Sequence, residues 1–410
     1  MRVLLASIYP FVFLLLFFTI PFDMYFRALP NILLVVLAVV FPFIIQKKHL
    51  RKLTSRSSIL WLCFFGVLLL AEAISGNIME DMAILKKIAL ALALVILYLP
   101  IENFKKLYKA IIFSSIAAIL FSLVKLFLLL NQGYTFGFLE SATIVEAILV
   151  DRIYLGFLSV ISILASYQLL RKEYHPDNRY YLANITLNVL FILFIVSRIA
   201  IITLLLIFIL SLFYSKKRGS QLLFAVGGIF LIAVLVFVVN QDLRKKIFYA
   251  QDAQKNQGLI ANTMAYEPRT VIWDCAWKNV SATGVSLTGM GFVGTNQKMM
   301  DCYENNIANP VKSKWFLKQK YNVHNQFLDT YLASGILVFL LLMISLGSLF
   351  FENRKHFFPT ALLLSLVCFA MVENVFHRQI GAYYVGFILL TLLINKHSEN
   401  EKEVIKGEIP

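Results

Sequence analysis

Apolar stretches of about 16–25 residues recur along the chain, and this repetition restricts the possible folds more than any other feature. A helix rises about 1.5 Å per residue, so each stretch can cross a hydrocarbon layer about 30 Å thick. Hydrophobic residues make up 60% of the 410 residues and charged residues only 15%, a balance that no soluble core of this length requires. The sequence therefore predicts an all-α polytopic membrane protein.

The apolar stretches predict about twelve transmembrane helices in three blocks. Residues 1–240 would hold helices one to nine, 241–325 one long loop with short helices, and 326–395 helices ten to twelve, followed by a polar, disordered tail over 396–410. The first stretch lacks a small-residue cleavage site, so no removable signal peptide is expected. The predicted helices lie near 3–22, 28–45, 59–75, 83–100, 110–130, 153–170, 183–197, 199–214, 222–240, 326–351, 357–374 and 377–394.

The positive charge is distributed as membrane orientation demands. The net charge is +15, but Lys and Arg collect in short loops on one side of the predicted helices, which favours orientation in a membrane over nucleic-acid binding. This asymmetry predicts that both termini are cytoplasmic and that the 241–325 loop is periplasmic. Residues 183–214 could form one overlong helix or two short ones. Charge parity favours two, because one helix would turn the basic Lys216–Arg218 loop outward, and two place Arg198 at the outer surface.

Few polar residues are placed where chemistry could occur. Lys125 and Glu373 are the least easily placed charges within the apolar stretches, and this scarcity disfavours an ion-coupled transporter. Of six histidines, only His324 and His377 are predicted to face outward. Histidine titrates near neutral pH, so His324 could be a general base, or it could merely mark the water interface. Arg198 could bind a phosphate, or pair with a carboxylate or lipid headgroup.

The long loop contains a predicted helix that starts after Pro268. Arg269, Trp273 and Trp277 are four residues apart and share one face, which could stack on sugar rings or lie among lipid headgroups. The glycine-spaced turn Gly289–Gly294 could approach a ligand through its N–H groups, but no strand–turn–helix unit makes it a dinucleotide site.

Two further features of the sequence bear on the chemistry. Cys275 and Cys302 could form a disulfide, although sequence alone does not show that they approach each other. Zinc-ligand spacings and an acidic metal–nucleotide-sugar motif are missing from the sequence, so we predict chemistry without a metal or cofactor.

Three segments resemble the O-antigen ligase and polymerase superfamily, over roughly residues 150–390. His324-Asn325-Gln326-Phe327-Leu328, followed by Gly335 in a helix, resembles the family's H-N-x-F/Y-L motif after a long periplasmic loop. Ser197-Arg198 resembles its S-R-G-A stretch, with Ile199 in place of the usual glycine. Glu267-Pro268-Arg269 with Trp273 resembles the R-x-x-x-W start of its loop helix.

The resemblance implies transfer of a glycan from a polyprenyl diphosphate to an acceptor hydroxyl at the periplasmic face of the bacterial inner membrane. His324 would be the catalytic base, and Arg198 and Arg269 would bind the diphosphate. The expected partners are an undecaprenyl-diphosphate-linked glycan, a lipid A-core acceptor and membrane lipids. Further candidates for orienting groups are Arg152, Arg378, Glu373 and Asn325.

Several functions share these residues. An O-antigen ligase is the leading prediction, because the loop and chain lengths favour it modestly. An O-antigen polymerase comes next, and transfer to a protein acceptor third. A lipid or polysaccharide flippase is an alternative of a different class, and it would not need His324.

Overall fold

The computed structural model describes residues 2–132, 151–214 and 268–407, apart from Met24, Arg27, Glu102 and Lys172. Within these ranges the regular structure is entirely helical. The α-helices, numbered over the described ranges, are α1 (Arg2–Thr19), α2 (Ala28–Ile44), α3 (Lys47–Leu50), α4 (Arg56–Ser75), α5 (Ile78–Tyr98), α6 (Phe104–Asn131), α7 (Arg152–Leu169), α8 (Asn178–Phe194), α9 (Arg198–Tyr214), α10 (Pro268–Thr283), α11 (Phe292–Asn305), α12 (Pro310–Gln319), α13 (Gln326–Asn353), α14 (Phe357–Ala370) and α15 (Gln379–Gly407).

Five of the described helices, α1, α4, α6, α7 and α13, are long and apolar enough to cross a membrane. A sixth span is possible if α2 and the helical segment Lys47–Leu53, which meet at a bend of 116°, form a single broken span. Shorter apolar helices are α9, α14 and the first part of α15. The helix predicted near 222–240 lies outside the described residues. The all-helical membrane architecture is therefore confirmed, while twelve spans and their orientation stay predictions.

The outer faces of the long helices carry apolar side chains that the described residues leave uncovered. Val39 on α2 and Phe127 on α6 are each 62% exposed, and similar residues recur along both helices. Soluble proteins rarely expose apolar surface on this scale, whereas lipid tails solvate it without cost. These faces therefore suit a hydrocarbon environment.

The ambiguous stretch 183–214 forms two helices, as charge parity indicates. α8 ends at Phe194 and α9 begins at Arg198, and between them Val196 has a left-handed backbone with φ 50°. A Cβ on Gly156 of α7 would lie 2.5 Å from Ser197 Oγ, so the break packs tightly against the first turns of α7. The prediction of two helices is confirmed.

The chain end differs from the sequence prediction. We expected a disordered tail over 396–410, but α15 continues to Gly407. Glu and Lys are frequent in this stretch, and both have high helix propensity, so the helix extends past its apolar part. The prediction of disorder is wrong for residues 396–407.

Residues 268–325, here called the cap, fold into α10, α11 and α12. Their apolar side chains form a small core of their own, which includes Ile272, Met299 and Phe316. A disulfide joins Cys275 of α10 to Cys302 of α11, with Cα atoms 5.8 Å apart. The sequence left this pairing open, and the structure contains it. In the chain-entropy treatment a crosslink closing a loop of this length stabilises by about 3–4 kcal/mol.

The cap docks where helix α13 is broken. Gly335 interrupts α13 with φ 83° and ψ −179°, which frees backbone groups that a continuous helix would use internally. Gly291 N donates to Ala333 O at 2.8 Å, and Ile336 N donates to Ser286 O at 2.8 Å. The cap is thus hydrogen-bonded to the opened turn of a transmembrane helix.

Two buried carboxyl groups hold the other side of this junction. Asp81, in the first turn of α5, accepts hydrogen bonds from Phe292 N at 2.7 Å and Val293 N at 2.8 Å. These N–H groups open α11, whose positive dipole end favours an anion. Glu72, near the end of α4, accepts a hydrogen bond from Ser334 Oγ at 3.0 Å. The first N–H groups of α11, just after the glycine turn, therefore bind a protein carboxylate.

Candidate active site

His324 lies where the cap meets α13, in a backbone conformation uncommon for its residue type. Its φ is 47°, in the left-handed region. Its backbone N donates to Asn322 Oδ1 at 3.1 Å, and its carbonyl accepts from Trp273 Nε1 at 3.4 Å. The next residue, Asn325, caps α13 by accepting hydrogen bonds from the first backbone N–H groups of that helix. These contacts fix the direction of the imidazole, which stays 19% exposed and so accessible.

The imidazole of His324 pairs with a buried carboxylate. His324 Nδ1 lies 3.1 Å from Glu373 Oε2, in the connection between α14 and α15. An ionised carboxylate can only accept hydrogen bonds, so the proton resides on Nδ1 and the lone pair of Nε2 is left free. In this tautomer Nε2 can take a proton from a substrate, while Glu373 stabilises the imidazolium that forms.

Glu373 is held in its charged form by its neighbours. Burial alone would raise its pKa, but the hydrogen bond with His324, the charge that His324 carries when protonated, and the charges of Arg378 and Arg269 outweigh burial and lower the pKa of Glu373 below its ordinary range. Glu373 is therefore ionised at neutral pH. Its interactions stabilise the fold above the pKa of an unfolded glutamate, and this contribution is lost as the pH falls through the lowered pKa.

Two arginines flank the His324–Glu373 pair. Arg269, in the first turn of α10, donates from Nε to the carbonyl of Val372 at 3.4 Å, next to Glu373. Arg378 Nη1 lies 3.5 Å from Asp151 Oδ2, and the Arg378 guanidinium lies 5.5 Å from the centroid of the Tyr154 ring. Both charges act on the Glu373 carboxylate. The site is therefore positive around one histidine–carboxylate pair, a setting that suits an anionic ligand.

Arg198 begins α9 at the same end of the helix bundle. Tyr214, at the far end of α9, hydrogen-bonds to Thr360 at the start of α14, so the two helices run antiparallel. The start of α9 therefore lies level with the end of α14, the point from which the chain leads to Glu373. The Arg198 side chain is exposed. The structure brings together His324, Arg269 and Glu373, and it places Arg198 on the same side of the bundle.

A second histidine–carboxylate pair lies beside the first. His377 Nε2 is 2.8 Å from Asp329 Oδ2, and the Asp329 side chain is fully buried. Asn322 and Asn374 contact the His377 ring at 3.3 and 3.4 Å. Asn322 also binds the backbone N of His324, and Asn374 Oδ1 accepts from Asn325 N at 2.7 Å. The two asparagines thus connect the two histidines into one polar network.

Some predicted site residues have other positions than expected. Arg269, Trp273 and Trp277 share α10, but Trp273 is turned inward to hold the His324 carbonyl, and Trp277 is 58% exposed. Lys87 of α5 donates from Nζ to the His377 carbonyl at 2.6 Å. Arg152 begins α7, half-exposed. The two tryptophans, for which the sequence left sugar stacking and headgroup contact as alternatives, are therefore divided between support of His324 and an exposed surface.

Sequence reasoning missed the network partners Asp329, Asn322 and Asn374. One signal was available: Asp329 is an isolated acid in the first turn of an otherwise apolar helix, five residues after His324. Such a charge in an apolar helix calls for a partner. The identity of that partner depends on the loop after α14, which the sequence does not place. Within the described ranges no group of three His, Cys, Asp or Glu side chains is arranged to hold a metal ion.

Comparison with known proteins gives one family match. The model of a family described as O-antigen ligase matches residues 183–343, a range that contains Arg198, Arg269 and His324. Glu373 and Arg378 lie outside the matched range. A search of curated proteins finds no significant match to the chain.

Proposed function

The chain belongs to the O-antigen ligase and polymerase superfamily, and from this premise we propose that it is an O-antigen ligase. It would transfer O-antigen polysaccharide from undecaprenyl diphosphate to a sugar hydroxyl of a lipid A-core acceptor. The reaction would invert the anomeric configuration and use no metal. The observation that carries this proposal is the His324–Glu373 pair with Arg269 and Arg378 around it.

The proposed chemistry follows from this geometry. His324 Nε2 accepts the proton of the acceptor hydroxyl while that oxygen forms a bond to the anomeric carbon. The bond between the anomeric carbon and the diphosphate oxygen breaks on the opposite face, and its electron pair stays with the diphosphate. Glu373 stabilises the imidazolium, which returns its proton to the departing diphosphate or to water. Attack from the face opposite the leaving group inverts the configuration.

In this proposal the arginines take up the charge of the leaving group. A diphosphate leaves readily when fixed cations meet the charge that develops on it in a water-poor site. Arg269 is already oriented by the Val372 carbonyl, and Arg198 begins α9 on the same side of the bundle. Guanidinium groups suit this task, because they bind phosphate oxygens in pairs and stay charged.

The disulfide supports placing the site at the periplasmic face of the inner membrane. Cys275 and Cys302 join two cap helices, and such bonds persist in oxidising compartments. The positive charges in the short loops on the other side favour the same orientation. The proposal therefore keeps the topology predicted from the sequence, with about twelve spans and both termini in the cytoplasm.

Analysis of lipopolysaccharide from a deletion strain tests the proposed activity. For a ligase we expect core without O-chain on gels, together with polymer accumulating on the lipid carrier, and restoration by the wild-type gene. Core carrying a single repeat would identify a polymerase instead. A normal ladder in the deletion strain would contradict both activities, and loss of carrier-linked polymer from the outer face would favour a flippase.

The arginine assignments predict a graded loss of activity. Arg269→Lys and Arg198→Lys keep the positive charge but lose paired phosphate contacts, so we expect each to lower the transfer rate about 10- to 100-fold. The measurement is the initial rate of glycan transfer by purified protein with a lipid-linked donor. Arg171→Lys is a matched control, because Arg171 lies outside the site beside the exposed Asp177. Unchanged rates for both test variants would argue against a required guanidinium.

A further inference from the structure

A row of aromatic rings leads from the cap surface to His324. The ring centroids of Trp315 and Tyr321 are 5.4 Å apart, and those of Tyr321 and His324 are 5.5 Å apart. Phe316 packs behind the first two rings, with its centroid 5.0 Å from Trp315 and 5.7 Å from Tyr321. The row is thus backed by the buried core of the cap and ends on the imidazole of the site.

The two outer rings are open to a ligand. Trp315 is 40% exposed, although its neighbour Phe316 is buried in the cap core. Tyr321 is half-buried, and its hydroxyl has no hydrogen-bond partner among the described residues, whereas the hydroxyl of the nearby Tyr303 donates to the Tyr321 carbonyl. An exposed indole face beside a free phenol offers an apolar platform and a polar group together. This combination suits a pyranose ring, which has apolar C–H faces and hydroxyls at its rim.

The row also lies within the field of the arginine that faces the reacting centre. Burial raises the pKa of Tyr321, and the charge of Arg269 acts in the opposite direction, which places the guanidinium near the phenol. A sugar on this row would therefore lie between the diphosphate-binding arginine and the outer edge of the cap. Two ring-to-ring steps, of 5.4 and 5.5 Å between centroids, lead from Trp315 to His324. Each step is comparable with the spacing of neighbouring sugar units.

We propose that Trp315 and Tyr321 form a sugar-binding subsite beside His324. Their rings would stack on the pyranose ring that neighbours the reacting sugar unit of the glycan. This subsite rests on the proposed transferase function. The ligand group is a pyranose ring in either case, whether the lipid-linked donor or the acceptor supplies it. The subsite would hold the chain so that its reacting end reaches Nε2 of His324.

Steady-state kinetics of the full-length protein, with donor and acceptor varied separately, test the subsite. We expect Trp315→Ala and Tyr321→Ala to raise KM for one substrate about 5- to 30-fold with little change in kcat. Trp315→Phe should recover most of the affinity, because an aromatic face remains. The substrate whose KM rises is the one that occupies the subsite. Trp277→Ala is the matched control, since Trp277 is exposed on the cap without an aromatic neighbour in the described chain.

A binding measurement separates this subsite from the function on which it rests. Lipid-linked glycan should change the intrinsic fluorescence of the wild-type protein and of Trp277→Phe, but much less that of Trp315→Phe. If the fluorescence behaves in this way but the His324 variant keeps full activity, the subsite is supported and the proposed base is overturned. Unchanged KM values for both alanine variants would overturn the subsite. So would a defect that depends only on vesicle lipid composition, because it would make Trp315 a headgroup anchor.

Discussion

Replacing His324 with asparagine is expected to lower the rate of glycan transfer by about 10²- to 10⁴-fold while the fold is kept. Asparagine adopts left-handed backbone more readily than most residues, so it accommodates the φ of 47° at this position. It cannot accept a proton at neutral pH. The substitution therefore removes the proposed base without disturbing the hydrogen bonds that Asn322 and Trp273 make to the backbone.

The measurement is transfer by purified protein, together with its thermal unfolding midpoint. Alanine at 324 is a poorer test, because left-handed backbone is strained for it and a loss of activity could reflect misfolding. His356→Asn is the matched control: His356 is exposed before α14, and asparagine suits that capping position. Activity of His324→Asn within about fivefold of wild type would eliminate His324 as the base.

Replacing Gly335 with alanine is expected to destabilise the protein by about 3–5 kcal/mol. The backbone at Gly335, with φ 83° and ψ −179°, is accessible almost only to glycine. A Cβ there would also lie 2.4 Å from the Leu287 carbonyl oxygen, inside the segment that carries the cap onto α13. Either the cap must move away or α13 must change its course, and both changes disrupt the surroundings of His324.

Apparent melting midpoints in detergent measure this effect, and a second glycine of the same helix is the control. Gly347 lies in regular helix, with nothing within 4 Å of an added Cβ. We expect Gly347→Ala to change stability by no more than about 1 kcal/mol, in the stabilising direction. Equal midpoints for the two variants would show that the helix break tolerates a side chain. Activity should follow stability, with transfer lost in Gly335→Ala alone.

The helices themselves could be read from the sequence because lipid leaves a chain few choices. Backbone groups in hydrocarbon must be satisfied within a helix, so each apolar stretch predicts its own structure. Most described helices begin and end within a few residues of the predicted ends. The exceptions are α5 and α8, which begin five residues earlier, α6, which begins six residues earlier, and α15, which ends thirteen residues later. The break in α13 was not predicted, because Gly335 in an apolar stretch also suits close helix packing.

The candidate site was only partly predictable. Local motifs singled out Arg269 and His324, because each lies in a short segment with its own pattern. The sequence shows Glu373 as a charge in an apolar stretch, but its pairing with His324 depends on how the loop after α14 packs against the cap. The His377–Asp329 pair joins residues 48 apart, and no local pattern contains both.

The docking of the cap shows the same limit. Asp81 reads as an ordinary acid in the first turn of a helix, where it should interact with its own dipole. In the fold it binds instead the first N–H groups of α11, more than two hundred residues later. Sequence patterns describe what one helix favours by itself, and contacts over such separations arise from tertiary packing.

The position of Glu373 and Arg378 near the end of the chain has a consequence for biosynthesis. Chains are made from the N terminus, and the parts made first fold first. The cap and Asp81, which receives it, are both made before residue 373. His324 nevertheless has no Glu373 partner until the loop after α14 has been made. The nascent protein is thus assembled with the proposed catalytic pair unformed, and under the proposed function it becomes active only when its last helices are inserted.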